Sequence, residues 1–277
     1  LPLFPTASAE FAPVAIILGA IGIFYGAFLA FAQTDIKRLL AYTSISHMGF
    51  VLLAIYAGNI ISLQGLMVQM IAHGLSSAAL FIMAGQLYER LHTRDLNLMG
   101  GMWGQFRYFA PLLMFFCAAL LGIPGTGNFI GEILILIGSF DQYPVIVVLA
   151  TISLVLGGLY SLILIYKALF GDNTAPKLAK ENGGRLRDLG KRELSLLSVL
   201  AIGLVWLGLY PQPVLNTSDS AMSWIAKAYA DELPPKHHTP HGIADHVHGH
   251  HHGHHHHHGH AHHEHNHDEH DHSKHGN

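Results

Sequence analysis

Three ionisable side chains stand inside otherwise apolar stretches of the chain: Glu132, His73 and His47. On insertion scales an ionised group at the centre of a membrane helix costs roughly 2.5–3.5 kcal/mol, so such residues normally have a partner or a function. Glu132 follows GIPGTGN, residues 122–128, in the middle of a long apolar run. Pro124 removes a backbone donor and the glycines permit non-helical geometry, so a break in a helix is expected there. Broken backbone at membrane depth is tolerated only where it is buried in protein or lines a wet cavity, and such breaks mark ion sites in transporters. Asn128 precedes Glu132 by four residues and shares its helix face. His73 has Gln69 at i−4 and Ser76 and Ser77 at i+3 and i+4, a polar stripe on one face, and His47 has Thr43 at i−4. A neutral imidazole accepts a proton on one nitrogen and releases one from the other. The three residues are therefore candidate members of a proton relay. The competing reading is two neutral core histidines, hydrogen-bonded to neighbouring helices, and an interfacial carboxylate.

The elements that must position them are membrane spans. Charged residues make up 12% of the chain, against about 25% in soluble domains. Six apolar runs are long enough, or nearly so, for the ~20 residues a spanning helix needs: 11–31, 39–56, 63–88, 109–140, 145–166 and 194–209. The fourth is overlong and contains the expected break. The expected fold is an all-α integral membrane protein with six transmembrane helices, one of them broken. Its expected organisation is an extracytoplasmic loop over 1–10, a helical membrane domain over 11–215, a short interfacial helix over 216–233 and a tail over 234–277.

Basic residues alternate between loops. Lys37 and Arg38 follow the first run; Arg90, Arg94 and Arg107 follow the third; seven Lys and Arg from Lys167 to Arg192 follow the fifth. The loops at 57–62 and 141–144 carry none. Positive residues face the cytoplasm, so both ends are expected on the extracytoplasmic side of a bacterial inner membrane. Five or seven spans would break that alternation. Lys37 and Arg38 sit at the cytoplasmic mouth; Lys37 is kept as a candidate relay residue, although long basic side chains at helix ends usually serve as anchors. No signal peptide is visible, and the chain reads as the C-terminal part of a longer polytopic protein. Cys117 lies alone in an apolar run and is expected to be a buried, inert thiol.

The residues already described also carry a family resemblance. The stretch FAQTDIKRLLAYTSISHMGF at 31–50 resembles the signature of the antiporter-like membrane subunits of respiratory complex I, which are similar to subunits of Mrp-type antiporters and membrane-bound hydrogenases. IAHGL at 71–75 and GIPGTGNFIGE at 122–132 match two further blocks in order. Residues 83–101 and YPQP at 210–213 point to the complex I branch rather than the antiporters. The resemblance covers roughly residues 1–233. It implies a second inverted repeat plus the last helix of a fold with about fourteen spans, in which the second repeat forms the half-channel toward the positive side of the membrane. It implies that His47 and His73 are central-axis histidines and that Glu132 is the acidic residue of the broken helix, where sister subunits use lysine. The first repeat, with its buried lysines and glutamate, is missing, and one half-channel is not expected to pump alone. The resemblance further implies no cofactor on this chain. NAD, FMN, iron–sulfur clusters and quinone are expected on partner subunits, and the neighbours are other membrane-arm subunits and lipid, with no nucleic acid.

The tail departs from the family. Every one of the 24 histidines except His47, His73 and His92 lies beyond residue 236, interleaved with Gly, Asp and Glu. Such a composition cannot bury a core and is expected to be disordered. Weak multisite binding of divalent metals is expected of its imidazoles, His254, His255, His256, His257 and His258 among them. Two other functions compete with proton translocation in complex I: a subunit of an Mrp-type cation/proton antiporter, and a metal-handling membrane protein that uses the tail.

Overall fold

The computed structural model describes residues 3–172, 174, 175, 177 and 187–230. The tail from 234 and the histidines 254–258 lie outside the described residues. Among the described residues the chain is helical. α1 spans Pro5–Phe31, α2 Ile36–Ala57, α3 Ile60–Leu91, α4 Phe109–Leu120, α5 Gly127–Phe140 and α6 Pro144–Ile165, which a π-helical turn extends through Tyr166–Phe170. α7 spans Lys191–Leu209 and α8 Gln212–Ala230. Five of these helical segments are long and apolar enough to cross a membrane, α6 counted with its π turn as Pro144–Phe170; α4 and α5 are shorter apolar pieces. The fourth apolar run is thus two half-helices joined at 121–126, and the six-span reading holds with its break in place.

Boundaries shift where local chemistry differs from hydropathy. α1 begins at Pro5 rather than after a loop of ten residues, because proline suits the first turn, where its missing N–H is no loss. The helix expected over 216–233 begins at Gln212, with Pro213 in its first turn, and is described as far as Ala230. α3, at 32 residues, is about 48 Å long at 1.5 Å per residue, more than the hydrocarbon core requires.

Backbone hydrogen bonds gather the three basic connections on one face. Ile36 donates to the carbonyl of Arg94 and Leu96 to that of Thr34, an isolated antiparallel bridge between the first and third loops. Trp103 donates to Leu169, and Ala175 to Gly100, which ties in the connection after α6. Arg90 completes the face, pairing with Glu193 at 3.2 Å and donating to the carbonyls of Gln86 and Arg187. The two loops without basic residues lie together on the other face. There Tyr229 of α8 packs on Gly58 and its hydroxyl reaches the carbonyl of Tyr56, while Gln64 donates to Asp219 at 2.9 Å.

Small residues let the helices approach closely, as membrane helices without a hydrophobic driving force must. A Cβ on Gly26 would stand 2.6 Å from the amide nitrogen of Ser46, and one on Gly49 2.6 Å from the carbonyl oxygen of Gly19, so α1 and α2 touch backbone to backbone. α3 and α5 meet in the same way at Gly65, Gly131 and Gly138. The outward faces are apolar. Phe28 is 60% exposed, Val155 66% and Val199 68%, whereas Gln69, Ser76, Asn128 and Glu132 are buried. This inside-out arrangement suits a chain surrounded by lipid and other apolar helices.

Two side chains hold the half-helices. Asn128 at the start of α5 donates to the carbonyl of Ala119 at 2.8 Å, which also accepts the amide of Gly122, and to Ser76 Oγ at 3.1 Å, tying the end of α4 to α5 and α3. Asp188 caps the start of α4 from a distant part of the chain, accepting from the amides of Arg107, Tyr108 and Phe109 as well as Leu189. Partial burial pushes the Asp188 carboxyl up, but these four backbone donors outweigh it and hold it below its ordinary value of 3.8.

Asn128→Ala breaks the two bonds that tie α5 to Ala119 and to Ser76 and costs about 1–3 kcal/mol, seen as a lower unfolding temperature of the purified chain in detergent. Asp188→Ala costs about 1 kcal/mol as a lost cap. Because the folded carboxyl titrates lower than the unfolded one, its contribution is present above the unfolded value and is lost as pH falls through the folded value. The stability gap between wild type and Asp188→Ala should therefore be full near neutrality and close on acidification, which thermal melts at a series of pH values measure.

Candidate functional site

The break in the fourth span is built by Gly122, Pro124 and Gly125. Gly122 and Gly125 have φ of +77° and +95°, a region open to glycine and costly for other residues. The chain leaves α4 at Leu121, turns, and restarts as α5 with Thr126 at its N-cap; the Thr126 hydroxyl donates back to Ile123. This places Glu132 in the second turn of α5. There the side chain faces α2 and α3 and is 3% exposed.

Glu132 is not alone. Its Oε1 lies 2.9 Å from Nδ1 of His47 on α2, and both side chains are buried. The imidazole N–H is not aimed along that line, so the pair is a close contact between titratable groups rather than an aligned hydrogen bond. Gln69 of α3 donates its amide to the same oxygen at 3.2 Å. His73, one helical turn beyond Gln69, lies against His47 with ring centroids 5.0 Å apart and planes tilted by 41°. A single water or a modest ring rotation bridges such a gap. Tyr160 of α6, buried, is within electrostatic reach of Glu132. The three residues singled out as relay candidates, from three different helices, thus form one buried cluster.

Several polar atoms around the cluster have no hydrogen-bond partner: Nε2 of His47, Nδ1 of His73, Oε1 of Gln69 and Oδ1 of Asn128. Buried polar groups are normally satisfied, and unsatisfied ones gathered along one path are suited to ordered water. Water along α3 and α5 would give protons a route that side chains alone leave interrupted.

Not every residue with the right spacing belongs. Ser76 is buried against Asn128, but Ser77 points away and donates only to the carbonyl of Gly74. Thr43 is buried, and its hydroxyl is taken by the carbonyl of Leu40 in its own helix. Lys37 stands in the first turn of α2, ten residues before His47 and so about 15 Å away along the axis. Its ammonium lies over the ring of Tyr88, 5.9 Å from the centroid. It marks the mouth of the bundle and does not join the cluster. Cys117 is a free thiol buried in α4. Among the described residues no three His, Cys, Asp or Glu side chains come together as metal ligands. Gln69 was visible in the sequence as part of a polar stripe; that it reaches Glu132 follows only from the packing of α3 on α5.

Known proteins carry the same chain pattern. Residues 1–157 match the family model described as NADH:quinone oxidoreductase/Mrp antiporter, transmembrane. The chain is 57% identical over 232 residues to the NADH-quinone oxidoreductase subunit M of Pseudomonas aeruginosa, covering 82% of this chain and 44% of that protein. It is 54% identical over 233 residues to the subunit M of Escherichia coli, covering 84% of this chain and 45% of that protein. It is similar in structure to a chain of respiratory complex I from Thermus thermophilus, with a TM-score of 0.76 and 28% identity over 82% of this chain and 47% of that one. A chain of the Mrp complex from a Dietzia species shares the fold, with a TM-score of 0.69 and 18% identity over 81% of this chain and 49% of that one. The chain spans less than half the length of the curated relatives it matches. The broken helix and its buried His–Glu cluster, read with these matches, identify the chain as a member of the NADH:quinone oxidoreductase/Mrp antiporter transmembrane family.

Proposed function

We propose that this chain relays protons within the membrane arm of a complex I-type NADH:quinone oxidoreductase. The observation that carries the proposal is the Glu132–His47–His73 cluster at a broken helix. The high identity to proteins named subunit M supports placing it in that enzyme rather than in an antiporter. The chain acts as a translocase component. NADH oxidation and quinone reduction, with NAD, FMN and iron–sulfur clusters, belong to partner subunits, and its neighbours are other membrane-arm subunits. The basic face is cytoplasmic and both described ends lie on the opposite side of a bacterial inner membrane, as the positive-inside rule requires.

The chemistry is proton transfer between groups that cannot be hydrated by bulk water. A proton reaching His73 passes to His47 across the 5.0 Å ring separation, directly or through one water. His47 hands it to the Glu132 carboxylate at 2.9 Å, and Glu132 releases it toward the break. Each step needs no more than a ring rotation or one bridging water, so the arrangement rather than a large motion sets the path. Lys37 supplies a fixed positive charge at the mouth.

Glu132→Gln keeps the shape and removes the titratable group. In membrane vesicles containing the fully assembled complex, NADH-driven proton transfer should fall several-fold; full proton transfer would exclude a relay role. His47→Gln should cost more than His73→Gln in the same assay, since only His47 touches Glu132. A sodium requirement for transport would favour the antiporter reading.

A further inference from the structure

Gln69 and Gly122 hold the two oxygens of Glu132 in different settings. Oε1 receives the Gln69 amide and faces His47. Oε2 points to the break, where a Cβ on Gly122 would stand 2.9 Å from it. Gln69 is itself held. It is fully buried, and a Cβ on Gly131 would come within 2.6 Å of its Oε1 and 2.7 Å of its Cα, so α3 can bring the amide to the carboxylate only because α5 has no side chain there. Chemistry fixes which way the amide faces, since its NH₂ donates to a carboxylate while its oxygen would repel one.

We propose that Gln69 is the positioning residue of the relay: its amide donates to the carboxyl oxygen beside His47, so that a carboxyl which has taken the proton there turns its O–H toward the break at Gly122, and the Oε2 position is the one from which the proton leaves. This rests on the relay reading and adds a division of labour to it. When Oε2 is protonated, Oε1 is the carbonyl oxygen and continues to accept the Gln69 N–H. When the proton leaves toward the break, both oxygens share the charge and the amide still holds the carboxylate in place. Gln69 neither gains nor loses a proton in the cycle. The titratable groups brought by the neighbouring helices are His47 from α2, His73 from α3 and Tyr160 from α6, whereas α7 brings the apolar Leu207 against Gly127 at the start of α5.

The test uses infrared difference spectra and proton transfer in membranes that hold the assembled complex. The carboxyl stretch of protonated Glu132 is the band lost in E132Q. In Q69L it should move to higher wavenumber, because its C=O no longer accepts an amide hydrogen bond, and proton transfer per NADH oxidised should fall several-fold. Q69E, which donates only while its new carboxyl is protonated, should keep the wild-type band position and transfer at acidic pH and lose both as pH rises. An unmoved band in assembled Q69L overturns the proposal, as does a shifted band with undiminished proton transfer. If Q69L fails to assemble, Q69E decides: behaviour that does not change with pH overturns it. Normal proton transfer in E132Q would sink the relay reading instead, and the position of the band is read independently of that result.

Discussion

A carboxyl group inside a membrane bundle must be given polar company, and the rest of this structure follows from how Glu132 obtains it. Backbone and side-chain polar groups have no water in hydrocarbon, so an ionisable residue there needs partners from neighbouring helices. The break at Gly122–Thr126 starts a new helix at mid-depth and sets Glu132 in its second turn, facing α2 and α3. His47 and Gln69 then meet one carboxylate oxygen from two directions. A side chain at Gly122 would stand where the other oxygen now points.

That arrangement depends on glycine packing at several heights. The approach of α3 to α5 at Gly65, Gly131 and Gly138 brings Gln69 and His73 to the cluster, while the approach of α1 to α2 at Gly26 and Gly49 fixes the helix that carries His47. Asn128 holds the restart of α5 to the end of α4, and Asp188 caps the beginning of α4 from across the basic face. The polar cluster is thus a product of apolar close packing, with side-chain hydrogen bonds placed at the break and at the helix starts.

Much of this was legible in the residue order. The spans could be read from apolar runs, their alternation from the basic loops, the break from GIPGTGN, and the relay candidates from their cost in hydrocarbon. What could not be read was set by rotation and distance between helices. Spacing alone put Ser77 on the stripe with Ser76, yet the helix turns it outward. Thr43 lies one turn from His47 but satisfies its hydroxyl within its own helix, a local bond that spacing does not reveal. Lys37 lies in the same signature stretch as His47, but ten residues of helix separate them. Asp188 sits in a loop with no pattern of its own, and its role as a cap on α4 comes from a contact spanning some eighty residues of sequence.

The proposed relay requires Glu132 to gain and lose a proton as the complex works. The most direct measurement is an infrared spectrum of the complex during NADH oxidation, with glutamate carboxyls isotopically labelled and the Glu132 band identified by its loss in Glu132→Gln. This band should change intensity with turnover and stop changing when the proton gradient is allowed to build to its limit. A Glu132 band that stays constant while protons move at the full rate would contradict the relay.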